Sequence, residues 1–281
     1  MNRLRALVGV GVGVGVFVVT LATHLPTDDL VRTALAHQTP AGWPTLVFGR
    51  ARLGLGGVRL APVELRTGDG ATLAAADWAI LAPSLRSLMG GGAGWPWSAR
   101  VGMCAGTVDV RVDEAASGHV AHVDWRDVDL GRCAPLLKIG EAIAGITTGT
   151  ATVRFAADAP PVAEGRLEVR GGSWRASGRL PGVEVLHVDP VVVRWRLGAG
   201  RVVVERLDVG GPDLTASGGA TLSLADRVAE SALHATLAVA PGPAAPPMIR
   251  ALLRLLPPAD AVPGAHALAV AGTLGAPLLA R

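Results

Sequence analysis

Residues 191–200 read VVVRWRLGAG, a run in which apolar and charged side chains alternate before a glycine-containing turn. Successive side chains of an extended strand point to opposite sides of a sheet. Val193 and Trp195 therefore share one face, while Arg194 and Arg196 share the other. The glycines at the end of the run let the chain reverse. This run predicts an antiparallel strand with one apolar face and one polar face.

The same two-residue period recurs along most of the chain after about Leu46. Segments that alternate in this way occupy residues 107–112, 166–170, 191–197, 221–224, 233–239 and 268–274. Glycine-rich turns such as those at residues 171–172 and 218–219 lie between them, and strands joined by short turns pair antiparallel. We therefore predict a mainly β fold, a long curved antiparallel meander sheet with a few short helices packed on it.

Two segments depart from this rhythm and carry apolar residues at helical spacing. They are Pro135–Ile146 and Pro246–Pro258, and each predicts a short helix between strands. A third candidate helix, Ser84–Met89, is shorter.

Composition limits the classes of protein to which the chain can belong. The 281 residues are 50% hydrophobic and only 17% charged, which excludes a disordered chain. The length suits one large domain or two small ones. The formal net charge is +3, and the basic residues are arginines scattered along the chain, apart from Lys138. Since the chain also lacks tyrosine and is only 4% aromatic, we expect no nucleic-acid partner.

The N-terminus predicts a membrane anchor. Arg3 and Arg5 precede an apolar run that is long enough to cross a bilayer as a helix, and no small-x-small cleavage site follows it. We favour an uncleaved signal anchor at residues 7–25 over a cleaved signal peptide. Residues 1–6 are then cytoplasmic, and residues 26–281 form a periplasmic β-rich domain in a bacterium with two membranes. The expected location is the inner membrane, crossed once.

An amphipathic helix is predicted directly after this anchor, at Thr27–Ala36. Thr27 can cap it, and Asp28 and Asp29 lie in its first turn, where negative charge is favourable. The helix lies either at the membrane surface or against the domain that follows.

Cys104 and Cys133 are the two cysteines of the chain, and both lie on the oxidising side of the predicted membrane. They are candidates for a disulfide, which would close a loop of about 30 residues and contribute roughly 3–4 kcal/mol. The alternative is a pair of buried free thiols.

Residues that could carry catalysis or bind a metal do not form a known pattern. The sequence has no nucleophile elbow and no phosphate-binding loop. His119 and His122 would point to opposite faces of a strand, and Asp124, Asp127 and Asp129 read as a solvated strand face. We expect no enzyme, no cofactor and no metal site. The excess of apolar surface predicts either an ordinary core or a groove that holds lipid.

Short motifs along the chain carry a family resemblance. Leu25-Pro26 and the amphipathic helix follow the anchor, residues 129–137 read DLGRCAPLL before Ala144-Gly145-Ile146, and residues 270–277 read VAGTLGAP. Their order resembles that of the type II secretion system protein N family, in the version found in delta-proteobacteria and leptospires. The similarity extends over nearly the whole chain, and the same arrangement of strands and glycines occurs in AsmA-like periplasmic proteins.

The resemblance implies an accessory subunit of the type II secretion system, the machinery that moves folded proteins across the outer membrane. Such a subunit is anchored in the inner membrane, and it would act by tethering and by docking other secretion subunits. The family supplies no catalytic residues. The alternative is an AsmA-like lipid-binding or lipid-transfer module with an apolar groove.

Overall fold

The computed structural model describes residues 28–29, 31–33, 45–54, 57–66, 70, 72–83, 97–115, 118–137, 143–156, 159–175, 183–225, 230–259, 262–273 and 276–280. These residues form one large antiparallel sheet with short helices, which confirms the prediction of a mainly β chain. The strands are β1 (Thr45–Gly54), β2 (Gly57–Arg66), β3 (Thr72–Ala76), β4 (Trp78–Pro83), β5 (Trp97–Met103), β6 (Gly106–Ala115), β7 (Gly118–Asp129), β8 (Ile143–Ala156), β9 (Ala159–Arg175), β10 (Val185–Val188), β11 (Val191–Gly198), β12 (Arg201–Val209), β13 (Leu214–Ser223), β14 (Ala232–Pro241), β15 (His266–Thr273) and β16 (Ala276–Ala280).

The strands follow one another across the sheet almost in chain order. The path runs β1-β2-β4-β5-β6-β7-β8-β9-β11-β12-β13-β14-β15-β16, with β3 paired to β2 and β10 paired to β9 beside it. Every pairing is antiparallel, as expected for strands that are joined by turns. The described sheet is therefore a meander.

Directly opposed residues of neighbouring strands lie on the same face, and following them across the sheet defines two apolar rows. The first apolar row consists of Ala51, Leu60, Ala79, Val101, Val108, Trp125, Gly149, Leu167, Val193, Leu207, Gly218, Leu237 and Leu268. The second apolar row consists of Leu53, Val58, Leu81, Ala99, Val110, Val123, Ala151, Gly165, Trp195, Val204, Ala220, Ala235, Val270 and Leu279. Neither row contains a polar side chain.

The opposite face of the sheet is charged. There Arg100 of β5 lies opposite Asp109 of β6, which in turn lies opposite Asp124 of β7. The Arg100 guanidinium donates a hydrogen bond of 2.6 Å to the Asp109 carboxylate. The two faces thus differ as the alternation predicts.

Among the residues that the structure describes, helices accompany the sheet at three places. They are α1 (residues 28–29 and 31–33), α2 (Leu130–Leu137) and α3 (Pro247–Leu253). Near β1 and β2, the buried side chains of Phe48, Leu60 and Val63 form a core against which Val31 of α1 packs. A second core lies near the other end of the sheet, where Val239 of β14 packs with two residues of α3 and with Val183 and Leu186.

Helix α1 is held against strand β1. The backbone N–H of Ala51 donates a hydrogen bond to the Asp28 carboxylate, and the Arg32 guanidinium donates one of 3.1 Å to the carbonyl oxygen of Phe48. The same guanidinium lies 4.7 Å above the centre of the Phe48 ring. Of the two predicted placements for this helix, the structure has the one against the domain.

The predicted helix at Pro135–Ile146 is wrong in its boundaries. The helix begins at Leu130, because the Asp129 carboxylate accepts hydrogen bonds from the backbone N–H groups of Gly131 and Arg132 and so caps it. Residues 143–146 instead belong to β8, where Ile143 lies opposite Trp174 of β9. The β-branched side chains of Ile143 and Ile146 favour a strand over a helix.

The predicted helix at Pro246–Pro258 exists but is shorter, because α3 ends at Leu253. Pro258 instead forms an isolated bridge with His266. The Ser84–Met89 candidate lies outside the described residues. The membrane anchor predicted at residues 7–25 also lies outside them. Among the helices that are described, none has the length and apolar character needed to span a membrane.

Asp213 is a buried carboxylate near the second core, with 8% of its surface exposed. It accepts a hydrogen bond of 2.7 Å from the backbone N–H of His187, and its oxygen lies 3.2 Å from the ring Nδ1 of the same residue. Since Asp213→Ala leaves that N–H without an acceptor, we expect it to lower the free energy of unfolding by about 1–2 kcal/mol. Urea unfolding measures this.

The matched control for that change is Asp208→Ala, which removes a surface carboxylate paired with Arg206. Exposed ion pairs contribute little, so its cost should stay below about 1 kcal/mol. Equal costs for the two variants would show that the His187 contact does not stabilise the fold.

Candidate functional site

The candidate site is the central apolar face, which we define as the part of the two apolar rows on β6 to β12. Its members are Val108, Val110, Val123, Trp125, Gly149, Ala151, Gly165, Leu167, Val193, Trp195, Val204 and Leu207. All twelve are partly exposed and none is buried. A core position would be almost fully covered, so this face is more open than a core.

Of the described helices, only α2 makes its main contacts with strands of this face, namely β7 and β8. Helix α2 contacts chiefly β8, β3 and β7, and α3 contacts β14. Buried residues that the helices cover gather in the two cores near the ends of the sheet. On the same side of β7 and β9, the buried residues Ala121, Val128, Ala163 and Val169 border the central apolar face, so the open surface is the strip that its twelve members form.

Two tryptophans lie flat on this face because glycines lie opposite them. Trp125 is directly opposite Gly149, and Trp195 is directly opposite Gly165. A Cβ atom at Gly165 would come within 2.7 Å of the Trp195 ring, and one at Gly149 would overlap with the Trp125 ring. Such pairs of an aromatic residue and a glycine fill the gap that the glycine leaves in the strand. They make the centre of the face a smooth apolar surface.

The Trp125 indole has a polar partner beside the face. Its Nε1–H donates a hydrogen bond of 3.2 Å to the hydroxyl of Thr147, whose side chain is 4% exposed. An indole bound in this way keeps a fixed orientation and presents its ring to solvent.

Cys104 and Cys133 are joined by a disulfide, with their Cα atoms 5.4 Å apart. Cys104 lies in the tight turn between β5 and β6, where it and Ala105 adopt positive φ angles. Cys133 lies in α2 and is 5% exposed. The bond ties α2 to the β5–β6 turn, so it belongs to the framework beside the site.

The histidines and aspartates singled out in the sequence do not gather into one site. His119 and Ala121 share the apolar side of β7, whereas His122 lies on the charged side, opposite Arg111 and Thr152. Asp124 is on the charged face, and Asp129 caps α2. No group of three or more potential metal ligands occurs among the described residues.

Asp127 breaks the predicted alternation of β7. The register between β7 and β8 shifts between Trp125 and Val128, and Asp127 has a φ of 55°. This is a β-bulge, which places Trp125 and Val128 on the same face although they are three residues apart. Sequence reasoning missed the bulge, and with it the position of Val128 on the apolar side of β7.

The chain was compared with protein-family models, with curated proteins and with solved structures, and none of the three comparisons found a match.

Proposed function

We propose that the chain is an AsmA-like lipid-handling module, anchored in the inner membrane, whose central apolar face takes the acyl chains of lipids in the periplasm. The observation that carries this proposal is the pair of apolar rows that cross the main path from β1 to β15 without a polar side chain. The partly exposed apolar surface at the centre of these rows is unfavourable in water, and a hydrocarbon chain would cover it.

The dimensions of the face fit an acyl chain. Neighbouring strands are about 4.8 Å apart, so the six strands from β6 to β12 on the main path span about 24 Å. A bilayer core of about 30 Å holds two opposed acyl chains, which gives each chain about 15 Å. An acyl chain can therefore lie across the strands, and each buried methylene contributes about 0.8 kcal/mol.

Two adjacent valines of β12 provide a test with an internal control. Val204 belongs to the second apolar row and lies opposite Trp195, whereas Val203 lies opposite Arg196 on the charged face. We expect a photo-reactive benzoylphenylalanine at position 204 to crosslink phospholipid when the full chain is irradiated in native membranes. The same group at position 203 should crosslink at least fivefold less lipid, as measured by mass spectrometry.

Lipid crosslinks of equal yield at the two positions would contradict the proposal, because both faces would then meet lipid without preference. So would crosslinks from position 204 to protein alone.

A second candidate function is the accessory subunit of the type II secretion system implied by the family resemblance. The feature that favours it is an edge of the sheet, since β16 pairs only with β15 among the described strands. Leu278 on this edge is 67% exposed. An open strand edge can accept a strand from another protein, which is one way for a subunit to dock. This role involves no catalysis, and neither does the lipid role.

Capture of the tagged chain from crosslinked native membranes separates the two candidates. Enrichment of inner-membrane secretion subunits without stoichiometric lipid would favour the docking role. Phospholipid without any secretion subunit would favour the lipid role alone.

A further inference from the structure

Three arginines lie side by side on the charged face of the sheet. Arg194 of β11 is directly opposite Arg166 of β9 on one side and Arg206 of β12 on the other. Directly opposed side chains in an antiparallel pair have Cβ atoms about 5 Å apart, and like charges at this distance destabilise the pair. Negative charge from another group would reduce the repulsion within such a row.

The nearby carboxylates do not supply that charge to Arg166 or Arg194. The four carboxylates beside these arginines are each held by another arginine, in the ion pairs Arg154–Glu164, Arg170–Glu168, Arg196–Glu205 and Arg206–Asp208. Asp124, in the same cross-strand row, lies two strands away from Arg166, opposite Thr150. The Glu168 contact also raises the pKa of Arg170, mainly through its hydrogen bond. Within the described part of the chain, Arg166 and Arg194 have no carboxylate within ion-pair distance.

The two unpaired arginines border an open depression of about 260 Å³, which Thr150, Thr152 and Glu205 also line. Thr150 lies directly opposite Arg166 on β8, so its hydroxyl is on the same face as both guanidinium groups. The six arginines of this surface face five carboxylates, the four in these ion pairs and Asp124 opposite Thr150, which leaves a net charge of +1.

We propose that Arg166 and Arg194 together bind a phosphate group, a monoester or a diester, with the hydroxyl of Thr150 as a further donor. Each guanidinium presents a planar fork of N–H donors that matches two oxygens of a phosphate. Two forks on neighbouring strands suit an anion with three or more acceptor oxygens better than a carboxylate, which has two. A phosphate monoester carries about −1.5 to −2 charges at neutral pH and a diester carries about one, so either offsets the excess positive charge of the surface.

This site is separate from the central apolar face. Arg166 and Leu167 are adjacent in β9, and so are Arg194 and Val193 in β11, so the arginines and the apolar rows lie on opposite sides of the sheet. Phosphate binding here does not depend on acyl chains binding there, and either proposal can fail alone. The phosphate can come from a lipid head group or from a soluble phosphate.

The test uses the full chain in detergent at low ionic strength, titrated by calorimetry with inorganic phosphate and, separately, with a short-chain phosphatidylglycerol. Whichever of these two ligands the wild type binds, we expect the double variant R166Q/R194Q to bind it at least tenfold more weakly. The control R50Q/R52Q removes the same charge from the same face, but on β1, away from the depression and without freeing a carboxylate beside it. It should change the affinity by no more than twofold.

A third variant, R166K/R194K, keeps the positive charge but loses the planar guanidinium forks. Its affinity for the ligand should lie between those of the wild type and R166Q/R194Q. Thermal unfolding of all variants checks that they fold, and R166Q/R194Q should be at least as stable as the wild type because it relieves repulsion between like charges. Binding of inorganic phosphate identifies a soluble source, and binding of the lipid alone identifies a head group. The proposal is overturned if the wild type binds neither ligand, or if both glutamine variants weaken binding equally.

Discussion

Replacing both Cys104 and Cys133 with alanine is expected to lower the free energy of unfolding by about 3–4 kcal/mol. The disulfide spans 29 residues of sequence, and removing it frees the unfolded chain from that closed loop. It also releases α2 from the β5–β6 turn, since Cys133 is a buried residue of that helix. Urea unfolding of the wild type and of the double variant gives the difference in the free energy of unfolding, with the same dependence on urea concentration used for both proteins.

Addition of a reductant provides the control for that change. It should destabilise the wild type by a similar amount and leave the double variant unaffected. If reductant leaves the wild type unchanged while the double variant loses stability, then the loss comes from packing at the two positions and not from the covalent bond.

Gly149→Ala should produce the second-largest loss, about 2–3 kcal/mol, although it adds a single methyl group. A Cβ atom at this position would overlap with the Trp125 ring and with the carbonyl oxygen of Arg166. The ring could turn aside, but the backbone of β9 would have to move as well. Thermal and urea unfolding measure the loss.

Gly198→Ala is the matched control, because no atom lies within 4 Å of the Cβ atom that it would add. Its effect should stay within about 0.5 kcal/mol. Similar losses at the two positions would mean that alanine is merely a poorer residue than glycine in these strands, and the close contact with Trp125 would then not be the cause.

The strands of this sheet were predictable because the chain alternates so regularly. Residues 191–197 alternate in the sequence and form β11 in the structure, with Arg194 and Trp195 on opposite faces. The antiparallel meander also followed, because short turns rich in glycine leave few other ways to pair consecutive strands.

The register of the sheet was not predictable, because bulges set it. Pairing between β12 and both of its neighbours shifts near Val204, and Val204 and Leu207 consequently lie on the same face. A strict period of two would have placed these residues on opposite faces. The continuity of the two apolar rows, and hence the candidate site, depends on these shifts.

The start of α2 shows a different limit. The apolar spacing after Pro135 suggested a helix there, while the cap at Asp129 lies in a segment that reads as the end of a strand. An aspartate can serve a strand face or a helix cap equally well, and tertiary contacts choose between them. The bond between Cys104 and Cys133 in turn depends on where this helix lies.

The central claim is that the central apolar face carries acyl chains, and lipid content tests it most directly. The full chain is purified from its own membrane in mild detergent, and bound phospholipid is quantified by mass spectrometry for the wild type, Val204→Asp and Val203→Asp. We expect about one or more phospholipids per wild-type chain, at least a fivefold loss in Val204→Asp, and no loss in Val203→Asp. The claim would be contradicted if the wild type carries no phospholipid. It would also be contradicted if all three proteins fold and carry equal amounts of phospholipid.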